Sequence, residues 1–151
     1  MTRQVTLAAF VHDADADTVF TRLADFERYP EFTDAVREVQ VTHRDDGVID
    51  SQWAVNFRNG ILRWTENEII DQAARSITFA QTTGDFASFD GTWQVEEHPD
   101  HVVIRFDAEF DLGMASLAAI LDPIAERALV ENLQRILSGL NGPSTTFGER
   151  P

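Results

Sequence analysis

The sequence predicts an α+β domain in which a seven-stranded antiparallel sheet curves around one long C-terminal helix. Three observations carry that prediction. Residues 115–140 (ASLAAILDPIAERALVENLQRILSGL) set Leu117, Ile120, Leu121, Ile124, Ala128, Leu133, Ile136 and Leu140 at spacings of three and four, the period of one helix face. Upstream, seven segments alternate apolar and polar residues, the period of a half-buried strand. Short turn signals separate strands, with Asp45-Asp46-Gly47 and Asn59-Gly60 the clearest, so strands adjacent in sequence pair as hairpins. The apolar face of such a sheet needs a cover, and only the last helix is long enough. One rod cannot fill the concave side completely, so a ligand cavity is expected between helix and sheet.

Taken in order, residues 3–11 (RQVTLAAFV) put Val5, Leu7, Ala9 and Val11 in one phase, a strand. The Asp cluster of HDADADTVFTRLADF then supplies a helix N-cap and a negative first turn, with Val19, Phe20 and Leu23 as the buried stripe of a helix at 16–25. In ERYPEF, Pro30 disfavours helical backbone at Tyr29 and opens a second short helix. Strands follow at 36–43, 48–58, 61–71, 75–82, 88–97 and 101–111. The last alternates cleanly, with Val102, Ile104, Phe106, Ala108 and Phe110 against Arg105, Asp107, Glu109 and Asp111. Asp122-Pro123 reads as an N-cap and first helical residue, giving a lead-in at 115–121, a kink, and a main helix at 123–138 that Gly139 and Gly142-Pro143 end. The domain is expected to span 1–142, with 143–151 a flexible tail.

Composition limits the function classes. A chain of 151 residues with 43% hydrophobic content is one folding domain. The net charge is −14, from 26 acidic and 12 basic residues, and the chain contains no Lys. Such a surface repels nucleic-acid phosphates and anionic lipid. Without Lys there is no internal Schiff-base chemistry, and without Cys no disulfide or thiolate chemistry. No apolar run reaches membrane-spanning length and none resembles a signal peptide, so a cytoplasmic location is expected. His12, His43, His98 and His101 lie at strand ends or turns without metal-ligand spacing, so no metal is expected.

Three local patterns bear a family likeness: LADFERYPEF (Leu23 to Phe32), FDGTWQVEE (Phe89 to Glu97) and VVIRFDAEFDL (Val102 to Leu112). Together with the order of elements over residues 3–138 they resemble the START-like (SRPBCC) helix-grip superfamily, which includes polyketide cyclase/dehydrase enzymes (aromatase/cyclases) and coenzyme-Q-binding proteins. The resemblance implies a helix-grip fold around a hydrophobic or aromatic small molecule, no cofactor, a monomer or homodimer, and a polyketide synthase carrier protein as a candidate partner. In aromatase/cyclases the strand after the Asn-Gly-like turn carries a Trp and, four residues on, an Arg. Here Trp64 matches and Glu68 stands where the Arg would be.

Candidate site residues follow from strand phase. Trp53, Trp64 and Trp93 fall in three strands, joined by Phe57, Phe79, Phe89, Phe106 and Phe110, and by Leu121 from the helix. Each either lines the cavity, where flat rings stack on a ligand, or fills core. Glu66 and Glu68 share the phase of Trp64. Turned inward, they are carboxyl groups in an apolar pocket, raised in pKa and fit for general acid–base work, with Glu68 as the proton-transfer residue and Glu66 secondary. Turned outward, they leave Arg63, Thr65 and Asn67 facing inward instead. Tyr29 either offers a phenol to a ligand carbonyl or packs in a Tyr-Pro turn. Arg127 and Arg135 are expected to pair with Glu131 on the helix surface.

Overall fold

The structure, a computed structural model, describes residues 2–44, 46–57, 60–113 and 118–148, with the side chains of residues 118–122 excluded. Leu117, Asp45 and Asn59, and the side chains of Ile120 and Leu121, lie outside the described residues, while the backbone at Asp122 is interior helix, so Asp122 is not the expected N-cap.

Strand β1 (Arg3–Val11) leads into helix α1 (Ala16–Ala24). Asp15 caps α1, its Oδ1 accepting from Thr18 N at 2.7 Å, and Asp17 places a second carboxylate in the first turn. A single 3₁₀ turn (Phe26–Arg28) runs into the short helix α2 (Tyr29–Phe32). Tyr29 is helical (φ −52°, ψ −43°) although a proline follows it, contrary to expectation. Its ring, buried beside Phe26 and Trp53, and its hydroxyl, bonded to Leu23 O, hold it there against the steric bias.

Six strands follow: β2 (Val36–His43), β3 (Ile49–Phe57), β4 (Gly60–Asp71), β5 (Ser76–Gly84), β6 (Ser88–Glu97) and β7 (Val102–Asp111). Helix α3 (Ala118–Asn141) comes next, and β8 (Thr146–Phe147) is last. The sheet order is β2-β3-β4-β5-β6-β7-β1-β8, antiparallel throughout. Six strands form a meander, and β1 returns to pair along its whole length with β7, from Arg3↔Phe110 to Val11↔Val102. The sheet has eight strands rather than seven. Phe147 pairs with Ala9 and Thr146 with Phe10, so two residues of the expected tail cap the free edge of β1.

Helix α3 is one element from Ala118 to Asn141 and contains Pro123, where two pieces and a kink were expected. The proline stands at the sixth position, so its missing N–H removes a single hydrogen bond near the helix start. The buried face of α3 is Ala125, Ala128, Leu129, Ile136, Leu137 and Leu140, while Ile124 is 40% exposed. The apolar stripe is thus rotated from the one the spacing suggested. Two features lock the helix to the rest of the chain. Gly139 lies against the backbone carbonyl of Phe32, leaving no room for a Cβ. Arg135 pairs with Asp34, from the link between α2 and β2, instead of with Glu131 as expected.

Candidate functional site

Alternation along β3 and β4 sends Ser51, Trp53, Val55 and Phe57 from one strand and Leu62, Trp64, Glu66 and Glu68 from the other to the concave face. The register sets Trp53 opposite Trp64 and Ser51 opposite Glu66. The two indoles stack with centroids 6.0 Å apart and planes 4° from parallel. A bulge between β4 and β5 falls at Thr65/Glu66, beside these residues. It is followed by Gly84, whose φ of +151° and contact with Trp64 exclude a side chain.

Between this face and helices α2 and α3 lies a cavity of about 80 Å³, counted as space open to the centre of a water molecule. A single water needs roughly 10–15 Å³ on that measure, so the space suits a small organic molecule. Its floor comes from β3 to β7 and its roof from Phe26, Tyr29, Leu129, Asn132, Leu133 and Ile136. A run of ring contacts crosses the floor. Tyr29 and Phe26 meet Trp53 edge-on at 5.4 and 5.6 Å, Trp64 meets Phe89 at 5.8 Å, Phe89 meets Phe79 at 5.1 Å, and Phe106 reaches Trp93 at 4.5 Å. Among the described residues, no Arg or His lines the cavity.

The expected residues distribute as follows. Trp53, Phe57, Trp64, Phe79, Phe89, Trp93 and Phe106 line the cavity. Phe110 does not. It is fully buried at the far end of β7 against Phe86, a core ring outside the pocket. Glu66 lines the cavity and is 6% exposed, while Glu68 is 0% exposed and stands behind the wall. The inward phase therefore holds, with Glu66 and not Glu68 at the surface a ligand would touch. Tyr29 also lines the cavity, but its hydroxyl donates to Leu23 O at 2.5 Å, so its proton is engaged.

The carboxyl groups sit in a hydrogen-bonded chain. Trp64 Nε1–H donates to Glu66 Oε1 at 2.6 Å. Ser51 Oγ–H donates to Glu68 Oε2, and Trp53 Nε1–H donates to Ser51 Oγ at 2.6 Å. Glu66 and Glu68 lie on the same face of β4, and each influences the other's ionisation. Glu68 Oε1 has no hydrogen-bond partner among the described residues. A proton on Glu66 turned toward Glu68 would give that oxygen a partner and complete the chain. Burial pushes the Glu66 carboxyl well above the usual glutamate range, and the neighbouring Glu68 pushes it further. Burial also raises Glu68, against the lowering effect of its bonds to Glu66, Ser51 and Trp53. Two unit charges about 4 Å apart repel by about 4 kcal/mol even at an effective dielectric constant of about 20. Glu66 is the more strongly raised of the two, so within the pair it is the carboxyl that holds a proton to higher pH. Burial, then Glu66 and Glu68, drive the Tyr29 phenol well above its ordinary pKa, so it stays protonated.

Ser51 is the member of this network that strand phase alone did not single out, although it shares the phase of Trp53. Val55, Leu62 and Ile77 also complete the lining and lie in phase with predicted residues. Among the described residues no group of three His, Cys, Asp or Glu side chains is arranged to hold a metal ion. The stacked His98 and His101 (4.8 Å) lie apart from the cavity. No helix among the described residues is long and apolar enough to cross a membrane.

Comparison with known proteins adds a family profile, described as polyketide cyclase / dehydrase and lipid transport, which matches residues 12–137. No curated protein matches the chain by sequence. Among solved structures, a protein from Thermus thermophilus superposes with a TM-score of 0.83 at 21% identity, covering 92% of this chain and 94% of the other. The Zhui aromatase/cyclase from a Streptomyces species gives 0.77 at 21%, covering 93% and 94%. A START superfamily protein from Mycobacterium smegmatis gives 0.77 at 19%, covering 91% and 96%. At these identities the superpositions establish a shared fold.

Proposed function

The chain belongs to the polyketide cyclase / dehydrase and lipid transport family, a START-like protein with a cavity for a hydrophobic ligand, and from that premise we propose that it is a cyclase/dehydrase-like enzyme. It would bind a hydrophobic or aromatic small molecule, such as a poly-β-keto chain, and promote cyclisation or dehydration by holding the reacting carbons together and moving a proton. The observation that supports this reading is Glu66: a buried titratable carboxyl on the wall of an otherwise aromatic pocket. A carrier has no need of a carboxyl pair poised in this way, and an acid–base catalyst does.

In the proposed chemistry Glu66 is the group that meets the substrate. When it accepts a proton from an acidic C–H or O–H of the ligand, it passes the proton it already holds to Glu68 Oε1. Glu66 ends neutral and Glu68 becomes neutral, so the charge leaves the network and appears on the substrate as an enolate. The reverse transfer returns the proton to a departing hydroxide during dehydration, and water is released. Trp64 and Ser51 orient the two carboxyl groups and Tyr29 forms part of the wall. Positioning supplies the larger share of the acceleration, because the reacting carbons become an intramolecular pair. A polyketide synthase carrier protein is the partner that would present the chain.

The test is turnover of linear poly-β-ketone substrates by purified protein. Wild type should change the rate and the product distribution. Glu66→Gln should lower kcat by about 10²–10⁴-fold, the usual contribution of general acid–base catalysis, while binding persists. Wild-type protein that binds such molecules and leaves their spontaneous products unchanged would make it a carrier for a hydrophobic ligand.

A further inference from the structure

The hydrogen-bonding capacity left on the cavity wall is uneven, and it bears on what the ligand must bring. At the end where Glu66 lies, the donors are engaged. The Trp64 N–H is bonded to Glu66 and the Trp53 N–H to Ser51. The Tyr29 O–H is bonded to Leu23 O. A carboxylic acid on Glu66 turned toward Glu68 has no hydrogen for the cavity either. What remains at this end is acceptor capacity: lone pairs on Glu66 and on Tyr29 Oη. Donors elsewhere on the lining stand apart. Trp93 lies two strands away, opposite Ile77, and the Asn132 amide is tethered by donating to Asn56 O at 2.6 Å. The nearest ionisable side chains, Glu66 and Glu68, are acidic, and among the described residues no basic side chain lines the cavity. A carboxylate or phosphate brought here would meet like charge with no cation to offset it, in surroundings where desolvation is already costly.

We propose that the cavity selects a hydrophobic ligand carrying a hydrogen-bond donor, an enolic or phenolic hydroxyl or a protonated amine, that seats on Glu66, and that it refuses carboxylate ligands. The inference rests on the cavity reading given under Proposed function, and it narrows the substrate class. A cyclising keto chain meets the requirement through its enol form, and the aromatic faces of Trp53 and Trp64 accommodate an ammonium group equally well.

The experiment is isothermal titration of the intact protein at pH 7 with probes of one shape: β-naphthol, its aminomethyl analogue, its methyl ether and β-naphthoate. The expected result is that β-naphthol or the aminomethyl compound binds at least tenfold more tightly than the methyl ether, with no binding of naphthoate. Glu66→Leu should bring the donor probes to the level of the ether and leave the ether unchanged. If that variant fails to fold, the four-probe ranking on wild type stands by itself. Methyl ether binding as tightly as the donor probes, or naphthoate binding most tightly, overturns the donor requirement while leaving the hydrophobic cavity intact. Failure of all four to bind overturns the cavity reading and this inference with it.

Discussion

Replacing Glu66 by glutamine should make the protein more stable than wild type at neutral pH, by an amount that depends on pH in a defined way. Glutamine has the shape of the protonated acid. Its amide nitrogen can donate toward Glu68 Oε1, which has no partner among the described residues, and its oxygen can accept from Trp64 Nε1. The network survives, but the proton is no longer titratable. In wild type the folded protein keeps a proton that the unfolded chain releases above the ordinary glutamate value of 4.5. Unfolding therefore releases a proton, and stability falls as pH rises. The stabilisation is complete below that value and is lost progressively until pH passes the raised value of the pair. The slope for one proton is about 1.4 kcal/mol per pH unit, so between pH 5 and pH 7 the variant should gain up to about 3 kcal/mol on wild type. Urea unfolding of both proteins at half-unit steps from pH 4.5 to 9 measures the difference, in which ionisations remote from the Glu66–Glu68 pair cancel. Parallel curves for the two proteins, or a variant less stable than wild type by a constant amount, would refute the shared proton.

Two further predictions concern the supports of the site. Ser51→Ala removes the donor to Glu68 and the acceptor for Trp53, so it should cost about 1–3 kcal/mol and extend the pH-dependent loss of stability to higher pH, because the bond from Ser51 holds Glu68 down. Gly139→Ala places a methyl on the Phe32 carbonyl and should lower the urea midpoint at unchanged m, by about 1–3 kcal/mol. If that substitution instead stabilises by about 1 kcal/mol, as helix propensity alone would dictate, α3 does not approach α2 so closely.

The strands were legible because their side chains alternate, and alternation also revealed the site. Once Trp64 turns inward, Glu66 must follow it, and Trp53 and Phe57 on β3 obey the same rule. What was not legible depended on distance along the strand or through space. Phe110 shares the phase of Phe106, yet two more repeats of the pleat carry it past the end of the pocket to Phe86. A single repeat separates Glu66, on the wall, from Glu68 behind it, a distinction that phase cannot make. Ser51 gives no signal in sequence, since a small hydroxyl in a strand acquires meaning only from the glutamate that the register brings near it. The α3 stripe was misread by a fraction of a turn because Ile124 fits a three-four spacing whether or not anything faces it. The partner of Arg135 lay 101 positions away, and local spacing could name only Glu131.

Carboxyl-carbon NMR of protein labelled with ¹³C at glutamate Cδ, titrated from pH 3 to 9, observes the buried proton itself. One glutamate resonance should keep the shift of a neutral acid at pH 7 while those of surface glutamates have moved to carboxylate positions, and that resonance should vanish in Glu66→Gln. A spectrum in which every glutamate has ionised by pH 6 would contradict the paired acid on the cavity wall and the proton transfer proposed from it.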